Sequence, residues 1–348
     1  AIVGRRFLSR RSFVLTPALI WRLLYIPIAL LPIAYFLAKD VRLALLLGCA
    51  TVAAFMVNFV NPVYSEWLAE LIPANARGSY FSTRNALATA VGTVLGMAGA
   101  LVLDGFRREP LGFAVIFGSG VVCGMISFFF TCRMEDVPRP AVVREGVVAG
   151  LRAFGGPFRN REFRPTLTFL AITIFGQSFP GQLYNAYALE SLNLSFSQLQ
   201  SLSVLHAIGG VTFSRIWGLL ADKYGNKPML GLAGLGLILS PIPWLFCRPH
   251  DPEGSLRILL PFHLLMGVVW SGVAVCQYNI ILATAPREER VSAIGAGMAT
   301  QSVFGGIAPL LGATLMATLR LHLDVPSAYR AVFVTAMFFR LIAVISLS

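Results

Sequence analysis

Residues 218–230 read GLLADKYGNKPML, and the rest of the chain is organised on either side of them. The stretch separates two long apolar runs. It holds two glycines, one acid and two lysines in a link far too short to be a domain. Glycine tolerates positive φ, so Gly218 and Gly225 are where a helix is expected to end and the chain to turn. Asp222 is suited to cap or face a helix N-terminus, where the dipole favours a carboxylate. Lys223 and Lys227 mark the link as cytoplasmic. The plain alternative is an ordinary basic turn between two apolar helices.

Composition places those helices in lipid. The chain is 56% hydrophobic and only 13% charged, with a mean hydropathy of +0.73, whereas a soluble domain is about 25% charged. Several runs reach the ~20 apolar residues that cross a bilayer. The expected class is therefore an all-α, multi-pass membrane protein in contact with the lipid bilayer. A net charge of +12 raises the question of nucleic acid. The arginines, however, fall in alternate short links, which is the positive-inside pattern and not a basic binding face, so no nucleic acid is expected. The five cysteines are scattered in or beside apolar runs and have neither zinc nor disulfide spacing.

In chain order, ten spans are expected: about 16–38, 42–63, 85–104, 111–131, 164–188, 197–219, 228–247, 257–283, 290–318 and 328–348. The polar segment 132–163, rich in Arg and Pro, separates 1–131 from 164–348 as two helical bundles. It includes GVVAGLRAF (146–154), read either as solvated linker or as a short interfacial helix. Ser197 followed by Gln200 is read as the capping box of the sixth span. With residue 1 inside, the inner links hold 17 Lys and Arg and the outer links 8, which fixes the orientation.

The chain also repeats itself. Pro73, Arg77, Gly92, Gly99 and Ala100 recur as Pro286, Arg290, Gly305, Gly312 and Ala313, at a constant offset of 213. Arg11 and Ile26-Pro27 recur as Lys227 and Ile242-Pro243, at an offset of 216. A parallel repeat of this size fits a fold of two similar bundles. The second copy begins near residue 164. Subtracting the offset puts the start of the first copy roughly 50 residues before residue 1, room for two more spans. The chain is thus expected to be an N-terminally truncated fragment carrying helices three to twelve of twelve.

The 218–230 stretch resembles the signature loop of the major facilitator superfamily, G-x-L-a-D-[RK]-x-G-[RN]-[RK]. Gly218, Leu220, Asp222, Lys223, Gly225, Asn226 and Lys227 fill its positions. The matching stretch near residues 5–11 departs from the pattern, with Ser9 where an acid belongs. The resemblance implies a secondary transporter that moves a small-molecule solute by alternating access of two six-helix halves, with H+ or Na+ as candidate coupling ions. It implies one copy, a monomer, as the working unit, in a bacterial inner or plasma membrane. It also implies a cytoplasmic gate in which Asp222 contacts the link at 73–84, where Arg77 or Arg84 adds a charged hydrogen bond, with Arg290 as the repeat counterpart of Arg77. The alternative is a facilitator-like protein that no longer transports and serves as a sensor or assembly scaffold.

Polar side chains inside lipid are costly unless they face the bundle interior or water, which makes them the substrate-binding candidates. In the fifth span Gln177, Gly181, Tyr184 and Asn185 fall at i, i+4, i+7 and i+8, beside a Pro180-Gly181 break. In the eighth span Trp270, Gln277 and Tyr278 share a face; Gln301 in the ninth is a weaker candidate. Each set is read either as a binding face or as hydrogen-bonding glue between helices. His206 is the proton-coupling candidate, or else a structural donor. Arg215 either snorkels to the cytoplasmic face or meets an anionic substrate. No metal-ligand cluster, nucleophile with a base, or phosphate loop is present, so neither enzyme chemistry nor a cofactor is expected.

Overall fold

The computed structural model describes residues 10–73, 76–107, 109–136, 156–161, 163–284 and 290–346. The chain divides into two compact units, residues 1–147 and 148–348. In the first, α1 (Arg10–Leu30) ends in a short 3-10 turn at Leu31–Ile33, and α2 (Lys39–Glu70), α3 (Arg77–Gly105) and α4 (Pro110–Cys132) follow. In the second come α5 (Arg164–Ser178), α6 (Leu183–Glu190), α7 (Phe196–Tyr224), α8 (Asn226–Ile238), α9 (Ile242–Phe246), α10 (Pro252–Thr284), α11 (Arg290–Leu319) and α12 (Val325–Ile345). The segment 146–154, the candidate interfacial helix, lies outside the described residues.

Nine helical segments among the described residues are long and apolar enough to cross a membrane. The tenth expected span is the pair α5 and α6, neither of which is long enough alone. Pro180 lacks an N–H and Gly181 adopts φ +38°, so the helix stops at Ser178 and restarts at Leu183. The Leu183 N–H bonds the Pro180 carbonyl at 2.7 Å and closes the turn. α2 and α10, at 32 and 33 residues, extend about 50 Å and outrun the ~30 Å hydrocarbon core. They run past the expected limits for that reason.

Helix lengths reproduce the repeat. α2, α3 and α4 have 32, 29 and 23 residues; α10, α11 and α12 have 33, 30 and 21. The first helix of each set is interrupted near its Ile-Pro pair, at the 3-10 turn after α1 and at the α8–α9 link.

Close contacts in the second unit are made at glycines, as suits helices with no hydrophobic drive between them in lipid. A Cβ on Gly209 of α7 would lie 2.1 Å from the Leu264 carbonyl oxygen of α10. One on Gly267 of α10 would lie 1.9 Å from the His206 oxygen. One on Gly312 of α11 would lie 2.0 Å from the Phe179 oxygen, so α11 lies directly against the break. An aromatic cluster of Tyr187, Trp244, Tyr329 and Phe333 packs beyond the break. There Glu190 accepts from Arg320 at 2.7 Å and from Tyr329 at 2.9 Å, tying α6 to the α11–α12 end.

Three local expectations are corrected. The α7 capping box is Ser195 with Gln198, in place of Ser197 with Gln200, because the helix starts at Phe196. Gly218 lies inside α7, and only Gly225, at φ 90°, makes the turn. Asp222 caps nothing: it is exposed in the last turn of α7, and the N-cap residue of α8 is Gly225.

The repeat glycines give a matched test. Gly312→Ala should lower the thermal midpoint of the full-length protein in detergent, by about 1–3 kcal/mol of overpacking. Its counterpart Gly99→Ala, whose nearest neighbour would be Ile116 Cδ1 at 3.8 Å, should be near neutral. Equal effects would remove the close seat of the break on α11.

Candidate functional site

A cavity of about 310 Å³ empty to water-sized groups, and a second of about 230 Å³, lie inside the second unit. The smaller one gathers most of the expected residues. Gln177 from the end of α5, Gly181 from the break, Tyr184 and Asn185 from α6 and His206 from α7 all line it. The fifth-span face therefore persists across the break. α6 is held by its ring: Tyr184 stacks on Phe333 at 4.4 Å and 17°, and packs on Trp244 at 5.1 Å. The Asn185 amide donates to Gln182 Oε1 at 2.7 Å. Among the described residues, Tyr184 Oη and Gln177 Oε1 are buried with no hydrogen-bond partner of good geometry.

The opposite wall comes from α7 and α10, whose glycine contact brings His206 and His263 to the same cavity. His263 Nδ1 lies 2.8 Å from the Leu259 carbonyl oxygen. A carbonyl only accepts, so Nδ1 carries the hydrogen, and in the neutral ring Nε2 is the acceptor. Its ring meets Trp244 edge-on at 5.6 Å.

The charged residue of this site was not among the sequence candidates. Arg340 of α12 lines the cavity and is only 3% exposed. Its Nε donates to the Gly176 carbonyl at 3.1 Å, and its Nη1 to the Leu237 carbonyl at 3.3 Å and to Ser240 Oγ. It thereby joins α12 to α5 and to the α8 end. A signal existed: Arg340, with Arg22 and Arg215, is one of three Arg set inside the expected spans and away from their first residues, and arginine inside lipid is a functional flag by itself. Ser240 and Trp244 also line the cavity and were not candidates, and His263, the weaker of the two histidine candidates, lines it as well.

The larger cavity takes Trp270 and Gln277 from α10 and Gln301 from α11, with Thr173 and Ile174 of α5. The eighth-span candidates thus line a different hollow from Tyr184 and His206. The side chains of Tyr278 and Arg290 lie outside the described residues.

The gate residues are mapped separately. Asp222 has no ion-pair or hydrogen-bond partner among the described residues, and Lys223 Nζ sits 5.1 Å from the Tyr224 ring. Lys227 is in the first turn of α8. In the first unit, Arg77 Nε donates to the Ile72 carbonyl at 3.0 Å and fixes the start of α3. Arg84 lines a cavity there with Arg22 and Tyr64. Arg215 is exposed on α7.

The family profile described as Major Facilitator Superfamily matches residues 166–348, and that of MFS/sugar transport protein matches residues 3–252. A proline/betaine transporter of Escherichia coli is 23% identical over 300 residues, 82% of this chain and 59% of the relative. The multi-drug resistance efflux pump PmrA of Streptococcus pneumoniae is 36% identical over 114 residues, 30% of this chain and 27% of the pump. The MFS-type transporter YuxJ of Bacillus subtilis is 27% identical over 148 residues, 42% of this chain and 34% of the relative. The chain therefore spans between about a quarter and three-fifths of the lengths of these relatives.

An unpartnered buried polar atom costs about 1–3 kcal/mol. Gln177→Met should therefore leave the thermal midpoint of the full-length protein unchanged or raise it. Differential scanning of intrinsic fluorescence in detergent checks this. A clear drop would mean that the Gln177 amide is structural glue.

Proposed function

Because the chain belongs to the major facilitator superfamily and its apolar helices make it a multi-pass membrane protein, we propose that it is part of a secondary transporter for a small solute. Transport in this reading proceeds by alternating access of two helical halves in a bacterial plasma membrane, without enzymatic chemistry. The observation that carries it is the 230 Å³ cavity, where a phenol oxygen and an amide oxygen are buried without partners inside a lipid-embedded bundle. Such groups are stabilised when a polar solute supplies the missing bonds. A scaffold has no use for them.

Asp222 supports the gating part of the reading. Its carboxylate sits in the last turn of α7, at the negative end of the helix dipole, an unfavourable place by about 0.3–1 kcal/mol. Its own helix gains nothing from it. A partner elsewhere, with the 73–84 link and Arg77 or Arg84 as the proposed one, gives the charge a reason to be there. A few kcal/mol of latch energy moves a two-state equilibrium by orders of magnitude. His206, which lines the same cavity as His263, is the proposed proton carrier.

The test is solute counterflow in proteoliposomes holding the full-length protein. Asp222→Asn should slow it about tenfold or more, while the thermal midpoint stays constant or rises slightly. Full-rate counterflow in Asp222→Asn defeats the latch. Absence of counterflow for every solute tried, in correctly inserted protein, favours the sensor or scaffold reading.

A further inference from the structure

Among the described residues each unit buries one arginine, and the two are used differently. Arg22 of α1, 9% exposed, spends all three nitrogens on the protein: Nε on the Gly124 carbonyl at 2.8 Å, Nη1 on the Ala18 carbonyl at 2.8 Å, and Nη2 on Ser127 Oγ at 3.4 Å. Its plane also meets the Trp21 and Phe128 rings, at 4.4 and 5.5 Å. Arg22 is a complete stitch. Arg340 is more deeply buried, yet its hydrogen bonds use only Nε and Nη1, and among the described residues Nη2 has no partner.

Among the described residues of the second unit, no carboxylate neutralises it either. The described acids of the second unit are Glu190, Asp222, Asp251, Glu253 and Asp324, and none lines the cavity. The 230 Å³ hollow is thus bounded by one fixed positive charge, and by neutral side chains otherwise except for the two imidazoles. Tyr184 Oη, which makes no hydrogen bond of good geometry among the described residues, lies directly beside the Arg340 guanidinium, so one small anion can reach both. A buried cation without a counter-ion is costly, and the cost is removed when an anion enters.

Resting on the reading of this cavity as the solute site, we propose that its ligand is a small organic monocarboxylate. The carboxylate accepts from Arg340 Nη2 and from Tyr184 Oη, and the body of the solute packs on Trp244 and Phe262. A guanidinium edge and a carboxylate match in geometry. One negative charge balances Arg340, whereas a phosphate dianion leaves an excess charge in the bundle. The volume is below the ~300–1,000 Å³ of drug-sized sites, so the solute is small.

The experiment measures binding to purified full-length protein in detergent, by tryptophan fluorescence and thermal midpoint. The probes are butyrate and benzoate, their neutral isosteres butyramide and benzamide, and inorganic phosphate. The carboxylates should bind and raise the midpoint, and the amides and phosphate should not. Arg340→Lys should weaken carboxylate binding by about tenfold or more. Tyr184→Phe, which keeps the ring stacked on Phe333, should weaken it about fivefold. If Arg340→Lys fails to fold, Tyr184→Phe and the carboxylate–amide contrast decide alone. Amides binding as well as carboxylates, phosphate binding better than either, or Tyr184→Phe leaving carboxylate affinity unchanged, each overturns the proposal. Counterflow of neutral or cationic solutes without carboxylate binding would sink this inference and leave transport standing. Carboxylate binding without counterflow of any solute would do the reverse.

Discussion

Lipid offers no hydrogen bonds, so a helix can stop inside the bilayer only where protein encloses the broken end. That constraint governs the second unit. The interruption between Ser178 and Leu183 is closed by its own turn and by burial of Phe179 and Pro180. It is pressed against α11 at a glycine that leaves no room for a methyl group. Because the break is enclosed, α5 and α6 can differ in what they do: α5 packs against α11 and α12, and α6 presents Tyr184 and Asn185 to the cavity. The Tyr184–Phe333–Trp244 stack then fixes the ring, so the phenol oxygen is positioned by packing and not by a hydrogen bond.

The same constraint explains the two buried arginines. Ser127 and Arg340 stand at equivalent positions under the 213-residue offset. In the first unit the arginine is on α1 and reaches the serine on α4; in the second it is on α12 and reaches Ser240 at the end of α8. The Arg–Ser bond joins corresponding helices in both copies with its ends exchanged. Each copy so keeps one strong polar tie between its first and last described repeat helices, where apolar packing alone gives little preference in lipid. The exchange moves the second guanidinium beside the broken helix, where Gly176 accepts from it.

Much of this was legible beforehand. Apolar runs fixed the spans, since length and hydropathy act without tertiary context. Pro180-Gly181 announced the break, and the spacing of Gln177, Tyr184 and Asn185 survived it because the turn between the two helices is short. What failed was local or three-dimensional. Gly218 read as a turn residue, but a glycine in lipid is as readily an interior helix residue, and only backbone strain singles out Gly225. Trp270 and Gln277 share a face with each other and not with the Tyr184 cavity, a distinction set by how α10 crosses α7. Arg340 escaped notice because its value as a site residue depends on which of its nitrogens remain unspent, and a sequence does not record that.

Some of the places where this chain departs from local consistency lie side by side in the proposed solute cavity. A folded chain ordinarily satisfies its buried polar groups and sets its charges with its helix dipoles. Among the described residues Tyr184 Oη and Gln177 Oε1 are buried unpaired, no carboxylate of the second unit lines the cavity beside Arg340, and Asp222 opposes the dipole of α7. Other buried polar atoms lack partners too, on Arg42, Thr173, Tyr187, Ser255 and Arg330, and they lie outside this cavity. What sets the cavity apart is that two such oxygens and a buried guanidinium line the same hollow. Strain kept in a stable fold is strain that some other state relieves. In the proposed reading, that state contains a solute for the cavity and a partner beyond its own helix for Asp222.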